Sequence, residues 1–142
     1  MTTNVLRVGM VGYAFMGAVH AHAWRNAHRF FDLPITPELT TVAGRDEEAV
    51  SAAAERLGFA SVETDWHALV ERADVDLIDI CTPGDSHAVI AVAALEAGKH
   101  VLCEKPLANT VEEAEQMAAA ARTAAERGVW AMCGFTYRRT PA

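Results

Sequence analysis

The sequence predicts a doubly wound α/β domain, one parallel sheet of about six strands with helices on both faces. Three observations carry that expectation. Short, unbroken apolar runs such as Leu6 to Val11, Leu77 to Cys81 and His100 to Cys103 recur along the chain, as strands buried on both faces do. They alternate with longer alanine-rich stretches of helical pattern, the order that builds βαβ units. Glycines stand at the junctions, at Gly12, Gly44, Gly58 and Gly98. The crossovers should be right-handed, and 142 residues give room for one domain.

Each element follows in order. Leu6 to Val11 is a first strand that stops at Gly12, and helical patterning runs from Met16 to about His28. Pro34 and Pro37 mark a loop, and Leu39 to Ala43 is a β-branched second strand closed by Gly44. Asp46 is a good N-cap for a helix over Glu47 to Leu57, with Gly58 at its C-cap. A weak strand falls near Phe59 to Val62, and Asp65 starts a short helix through Arg72. The strand Leu77 to Cys81 runs into Thr82-Pro83-Gly84, and a helix from about Ser86 to Ala97 ends at Gly98. His100 to Cys103 is the next strand. Thr110 and Glu113 have capping-box spacing and open a long helix to Gly128, after which Val129 to Phe135 is the last strand.

Composition excludes several classes of function. Twelve basic against nineteen acidic residues leave a net charge of −7, the wrong sign for a chain that lives on phosphate backbones or anionic membranes. No apolar run nears the roughly 18 residues that span a bilayer. The N-terminus lacks the order of a signal peptide. Three dispersed cysteines make no disulfide framework, so a reduced cytoplasmic protein is expected. Cys81, Cys103 and Cys133 read as small buried hydrophobes and no metal site is expected, because neither Cys-x-x-Cys nor His-x-x-x-His spacing occurs. Asp79 stands inside an apolar strand and needs a partner if buried.

The most informative stretch is Gly9-Met10-Val11-Gly12-Tyr13-Ala14-Phe15-Met16-Gly17, where the first strand hands over to the first helix. Such a junction aims backbone N–H groups and the positive end of a helix dipole at whatever lies above the sheet. A pyrophosphate suits it. Gly12 permits the tight turn and Gly17 close helix–strand packing, while Ala14 stands where a second glycine is usual. Gly12 and Gly17 also read as plain turn and packing glycines; their place in the first strand-to-helix turn favours a dinucleotide. At the end of the second strand Gly44 replaces the acid that usually accepts from an adenosine 2′-hydroxyl, and Arg45 follows. Removing the acid removes repulsion against a 2′-phosphate, and arginine offers it a planar fork, so NADP is favoured over NAD. The alternative is a solvated Arg45 beside a capping Asp46.

Lysine occurs only at Lys99 and Lys105. Lys99 follows a helix-ending glycine, an ordinary solvated position. Lys105, within Glu104-Lys105-Pro106, follows a strand's carboxyl end, where open α/β sheets bind ligands. An amine there suits proton transfer near a substrate hydroxyl; the alternative is a surface lysine paired with Glu104.

The glycine turn, Cys81-Thr82-Pro83, His87 and above all the run from Gly98 through Glu104-Lys105-Pro106 resemble the glucose–fructose oxidoreductase/inositol dehydrogenase (Gfo/Idh/MocA) family. Gly134 to Arg138 is similar to that family's strand before its second domain. The resemblance implies a Rossmann-type domain over residues 1–142. It implies that Gly12, Ala14, Phe15, Met16 and Gly17 hold the pyrophosphate and that Gly44 and Arg45 meet the adenosine ribose. Thr82, Pro83 and His87 would line the cleft, Glu104 would lie near the nicotinamide ribose, and Lys105 would orient substrate and assist proton transfer. Arg138 would stand at the mouth. The implied activity is hydride transfer between a nicotinamide cofactor and a sugar, inositol or related polyol. Family members are about twice as long or more, so the substrate domain is expected to be missing. The chain alone is then expected to bind cofactor but turn over slowly, and to self-associate through an exposed interface. A non-catalytic NAD(P)-binding module, such as a redox sensor or partner subunit, is the other reading.

Overall fold

The computed structural model describes residues 4–140. Six strands form one parallel sheet: β1 (Asn4–Val11), β2 (Ile35–Ala43), β3 (Ser61–Glu63), β4 (Leu77–Ile80), β5 (His100–Cys103) and β6 (Ala131–Cys133). Five α-helices alternate with them: α1 (Phe15–Phe30), α2 (Glu47–Leu57), α3 (Trp66–Glu71), α4 (His87–Glu96) and α5 (Val111–Ala125). The sheet order β3-β2-β1-β4-β5-β6 is that of a Rossmann-type doubly wound fold. From β1 the chain winds outward through β2 and β3, then crosses back to β4 and winds outward the other way. The reversal leaves a crevice above the carboxyl ends of β1 and β4.

Period-2 alternation sorts the two faces. Val8 and Met10 point to the side packed by α1 and α2, with Ala21, Val42, Val50 and Leu57. Val11, Ile78 and Ile80 point to the other, packed by Leu69, Ile90, Leu95 and Met117 from α3, α4 and α5. Asp79 therefore faces α1.

Most element boundaries fall where the sequence puts them, and α2 carries its expected Asp46 and Gly58 caps. Three differ. β2 begins at Ile35 and takes in Pro37, because β3 pairs only with Thr41–Ala43 and leaves the first half of β2 an edge that asks no N–H of Pro37. The β1–β2 ladder also shifts register: Val8 faces Leu39 and Gly9 faces Thr41, so Thr40 is a bulge. Finally, α5 stops at Ala125 and β6 shrinks to Ala131–Cys133, the turn between them passing through Gly128 at φ +77°. Lys99 is not simply solvated. Its ammonium donates to the Arg72 and Val75 carbonyl oxygens at 2.6 and 2.8 Å, tying the loop before β4 to the start of β5.

Candidate functional site

Parallel pairing brings the carboxyl ends of the strands to one level. Val11 is in register with Ala43 and Ile80, Ile80 with Cys103, and Cys103 with Cys133. The next residues form the rim: Gly12 N donates to Ala43 O (3.1 Å), Gly44 N to Glu63 O (3.0 Å) and Cys81 N to Val11 O (2.9 Å). Glu104 N donates to Ile80 O (2.9 Å) and Gly134 N to Cys103 O (2.7 Å). Residues far apart in the chain thus share one rim: Gly12, Gly44, Thr82, Glu104 and Lys105.

At its centre is the β1–α1 turn. Gly12 has φ +93°, and a Cβ there would lie 2.8 Å from Cys81 O, so only glycine lets β1 turn beside the end of β4. A Cβ on Gly17 would overlap Gly12 O, so α1 starts hard against the turn. Ala14, at the N-cap, supplies no side-chain acceptor, and the first turn holds no acid. The opening N–H groups of α1 lack the partners a helix start normally finds, and its dipole is not offset. Ala14 and Phe15 are exposed and Met16 half-buried around this opening. A pyrophosphate fits here: glycines where a Cβ would block, free amides, and no competing carboxylate.

Beside it, the tip of β2 has no free acid. A Cβ on Gly44 would collide with the Tyr13 ring, which occupies the space an acidic side chain would need. Arg45 is exposed with no hydrogen-bond partner among the described residues. Asp46 is committed as the α2 cap, its Oδ1 accepting from Ala49 N at 2.8 Å.

On the far side, Ser86 Oγ donates to Pro83 O at 2.9 Å and lies 2.7 Å from the Thr82 hydroxyl, whose proton it can accept. His87 is buried, with Nδ1 2.8 Å from Pro106 O and Nε2 2.8 Å from Thr82 O. It braces the exit of β4 against the turn after β5, whose Lys105–Pro106 bond is cis. Lys105 is exposed, and its ammonium has no partner among the described residues. Glu104 is buried; its carboxylate is turned inward and does not reach the surface. Arg138 is exposed in a 3-10 turn, Thr136–Arg139, beyond β6.

Beneath the rim lies a buried clasp. His20 on α1 stands between two carboxylates, Nδ1 2.9 and 3.0 Å from the Asp79 oxygens and Nε2 3.1 Å from Glu104 Oε1. Trp24 Nε1 donates to Asp79 Oδ2 at 2.7 Å, and Glu104 Oε2 accepts from Lys105 N at 2.9 Å. Burial pulls the His20 pKa down, but Asp79 and then Glu104 outweigh it, and it stands above the ordinary 6.5. Cys81 lies close to His20 and Asp79, its thiol 3.6 Å from Asp79 Oδ1. Burial pushes the Cys81 thiol up, Cys103 up to about 12, and Cys133 in the same direction, which leaves none a ready thiolate.

Residues 6–134 match a family model described as an oxidoreductase family with an NAD-binding Rossmann fold. The chain belongs to the Gfo/Idh/MocA family. A crystal structure of an oxidoreductase domain protein from Kribbella flavida is 67% identical, with a TM-score of 0.93 over 97% of this chain and 36% of that one. Levoglucosan dehydrogenase of Pseudarthrobacter phenanthrenivorans is 41% identical over 96% of this chain and 35% of its own length. A levoglucosan dehydrogenase solved with NADH gives a TM-score of 0.91 at 39% identity, over 96% of this chain and 36% of that one. The chain thus spans about a third of these Gfo/Idh/MocA relatives, the third that is the NAD-binding Rossmann domain.

Within that domain, sequence reasoning missed His20, Trp24 and Tyr13. The first two had a signal: Gly17, His20, Ala21 and Trp24 fall at the i, i+3, i+4, i+7 spacing of an inward stripe. Asp79, whose role the sequence left open, is the partner that stripe requires. Among the described residues, no helix is long and apolar enough to cross a membrane.

Proposed function

We propose that residues 1–142 are the NAD(P)-binding domain of an oxidoreductase that moves hydride between a nicotinamide cofactor and a sugar, inositol or related hydroxylated substrate. The bare N-terminus of α1, set at the β1–β4 switch point, is the observation that carries this reading. The first-turn amides and the Gly12 turn take the pyrophosphate, with Ala14, Phe15 and Met16 around it. Gly44 and Arg45 meet the adenosine ribose, and Thr82 and Pro83 wall the opposite side of the cleft, braced from beneath by the buried His87. When bound, the cofactor supplies the hydride acceptor or donor. Lys105 holds a proton donor toward a substrate hydroxyl or carbonyl oxygen at the nicotinamide end, beside Glu104, with Arg138 at the mouth. A substrate held at near-attack distance needs a second wall, so the domain alone binds cofactor and turns over slowly.

NADP is the favoured cofactor. Asp46 is occupied as a cap, Tyr13 fills the slot of the usual acid, and Arg45 is left without a partner. That arrangement suits a 2′-phosphate better than a 2′-hydroxyl. Calorimetric titration with NADPH and NADH tests both statements. NADPH should bind more tightly, and Arg45→Asp should weaken NADPH by roughly tenfold or more while sparing NADH. NADH binding alone would overturn the phosphate argument; binding of neither to the folded chain would overturn the whole reading.

A further inference from the structure

The His20 clasp has a consequence for the turn above it. Asp79 is fully buried and Glu104 nearly so, and both direct carboxylate oxygens at one imidazole. A neutral imidazole carries one N–H and can serve one acceptor; with a carboxylate oxygen at hydrogen-bond distance from each ring nitrogen, the clasp needs a second proton. One proton therefore lies on the line from His20 Nε2 to Glu104 Oε1. The other Glu104 oxygen receives the Lys105 backbone N–H, and Gly134 closes on the same carboxylate, where a Cβ would stand 3.0 Å from Oε1.

We propose that His20 is a positioning residue for Lys105: shared between Asp79 and Glu104, it turns the Glu104 carboxylate inward and so fixes the backbone from which Lys105 enters the cleft. The proposal rests on the reading of Lys105 as the substrate-facing amine only for its functional meaning, not for its geometry. When the shared proton leaves, a ring lone pair faces a carboxylate oxygen at 3.1 Å in a buried site. The relief open to that contact is rotation of Glu104, which frees the Lys105 N–H. Asp79 is held in place meanwhile by Trp24.

The groups facing His20 are few. Asp79 and Cys81 come from β4 and its exit, Glu104 from the end of β5, and Trp24 from α1 itself. Cys103 and Cys133 lie near Glu104, both with thiols pushed up and so protonated across the neutral range. Lys105 itself is exposed. The proton on the Nε2–Oε1 line is accordingly the one whose loss, above the ordinary histidine range, moves charge in the clasp.

The test is a pH titration of the full chain without cofactor, following the His20 ring nitrogens and the Lys105 backbone amide by nitrogen-15 NMR. The expected result is one shared midpoint for the two, above the ordinary histidine value of about 6.5. In Glu104→Gln the side-chain amide still accepts from Lys105 N but carries no titrating charge, so the Lys105 amide should stop following His20. A flat Lys105 amide across the His20 midpoint in the unaltered chain overturns the proposal, even if the variant fails to fold. So does an amide that follows equally well in a folded Glu104→Gln. NADPH added to the same sample separates the two readings. Coupling without cofactor binding sinks the function and keeps the positioning role, and binding without coupling does the reverse.

Discussion

Two helices of this domain begin in opposite ways. α5 supplies its own ending: Thr110 Oγ1 accepts from Glu113 N at 3.1 Å, and Glu113 Oε2 accepts from the Thr110 and Asn109 amides at 3.3 and 2.9 Å. Glu112 and Glu113 also offset its dipole. α1 has an alanine at the N-cap and no acid in its first turn. The physics of a helix start is the same in both, so the difference is one of filling. A start satisfied by its own side chains is a structural joint. One left bare at a sheet's switch point keeps its donors for an acceptor from outside, as the proposed pyrophosphate site requires.

Giving α1 what α5 has should break the contrast most sharply. Ala14→Asp should stabilise the free chain by about 1 kcal/mol through capping. It should also weaken dinucleotide binding by roughly a hundredfold, as a carboxylate takes the phosphate's donors and repels it. Melting and calorimetry on the same sample read both; unchanged affinity would remove α1 from the phosphate site.

A second difference is that α1 is clasped through a titrating ring. The unfolded chain's His20 has the ordinary pKa and the folded one a raised pKa. Its stabilisation is therefore complete below about pH 6.5 and lost as pH rises through the folded value. Unfolding free energy should fall across that window by at most about 1.4 kcal/mol per pH unit for one proton, and the melting temperature with it. His20→Gln should flatten it.

The smallest effect belongs to α5. Thr110→Ala should cost about 1 kcal/mol of stability, measured in denaturant, and leave cofactor affinity where it was. A loss of affinity there would mean that the two helix starts are not independent.

The fold was legible because its signals are local. Asp46, Asp65 and the Thr110–Glu113 pair mark helix starts within four residues of their partners, and Gly12 announces its turn by its place after an apolar strand. The family followed from Glu104-Lys105-Pro106 for the same reason. The clasp was not legible as a whole, because His20 lies 59 residues from Asp79 and 84 from Glu104. Only the lone acid in the apolar strand, Asp79, hinted at it. Tyr13 was hidden similarly, since its contact with Gly44 exists only once β1 and β2 lie side by side. Pro37 misled because a proline marks a loop until one knows that the partner strand stops short.

The bulge at Thr40 sets the phase of the whole rim. Below it, Val8 is level with Leu39; above it, Val11 is level with Ala43, one residue further along β2 than the lower ladder would give. Without that extra residue, Leu39 below it and Val42 above it could not both face the core beside Val8 and Met10, and the tip that carries Gly44 and Arg45 would fall out of step with β1. Thr40 acts as a spacer between two ladders of different phase. One chain thereby satisfies the packing rhythm of its core and the separate alignment of its ligand-facing edge.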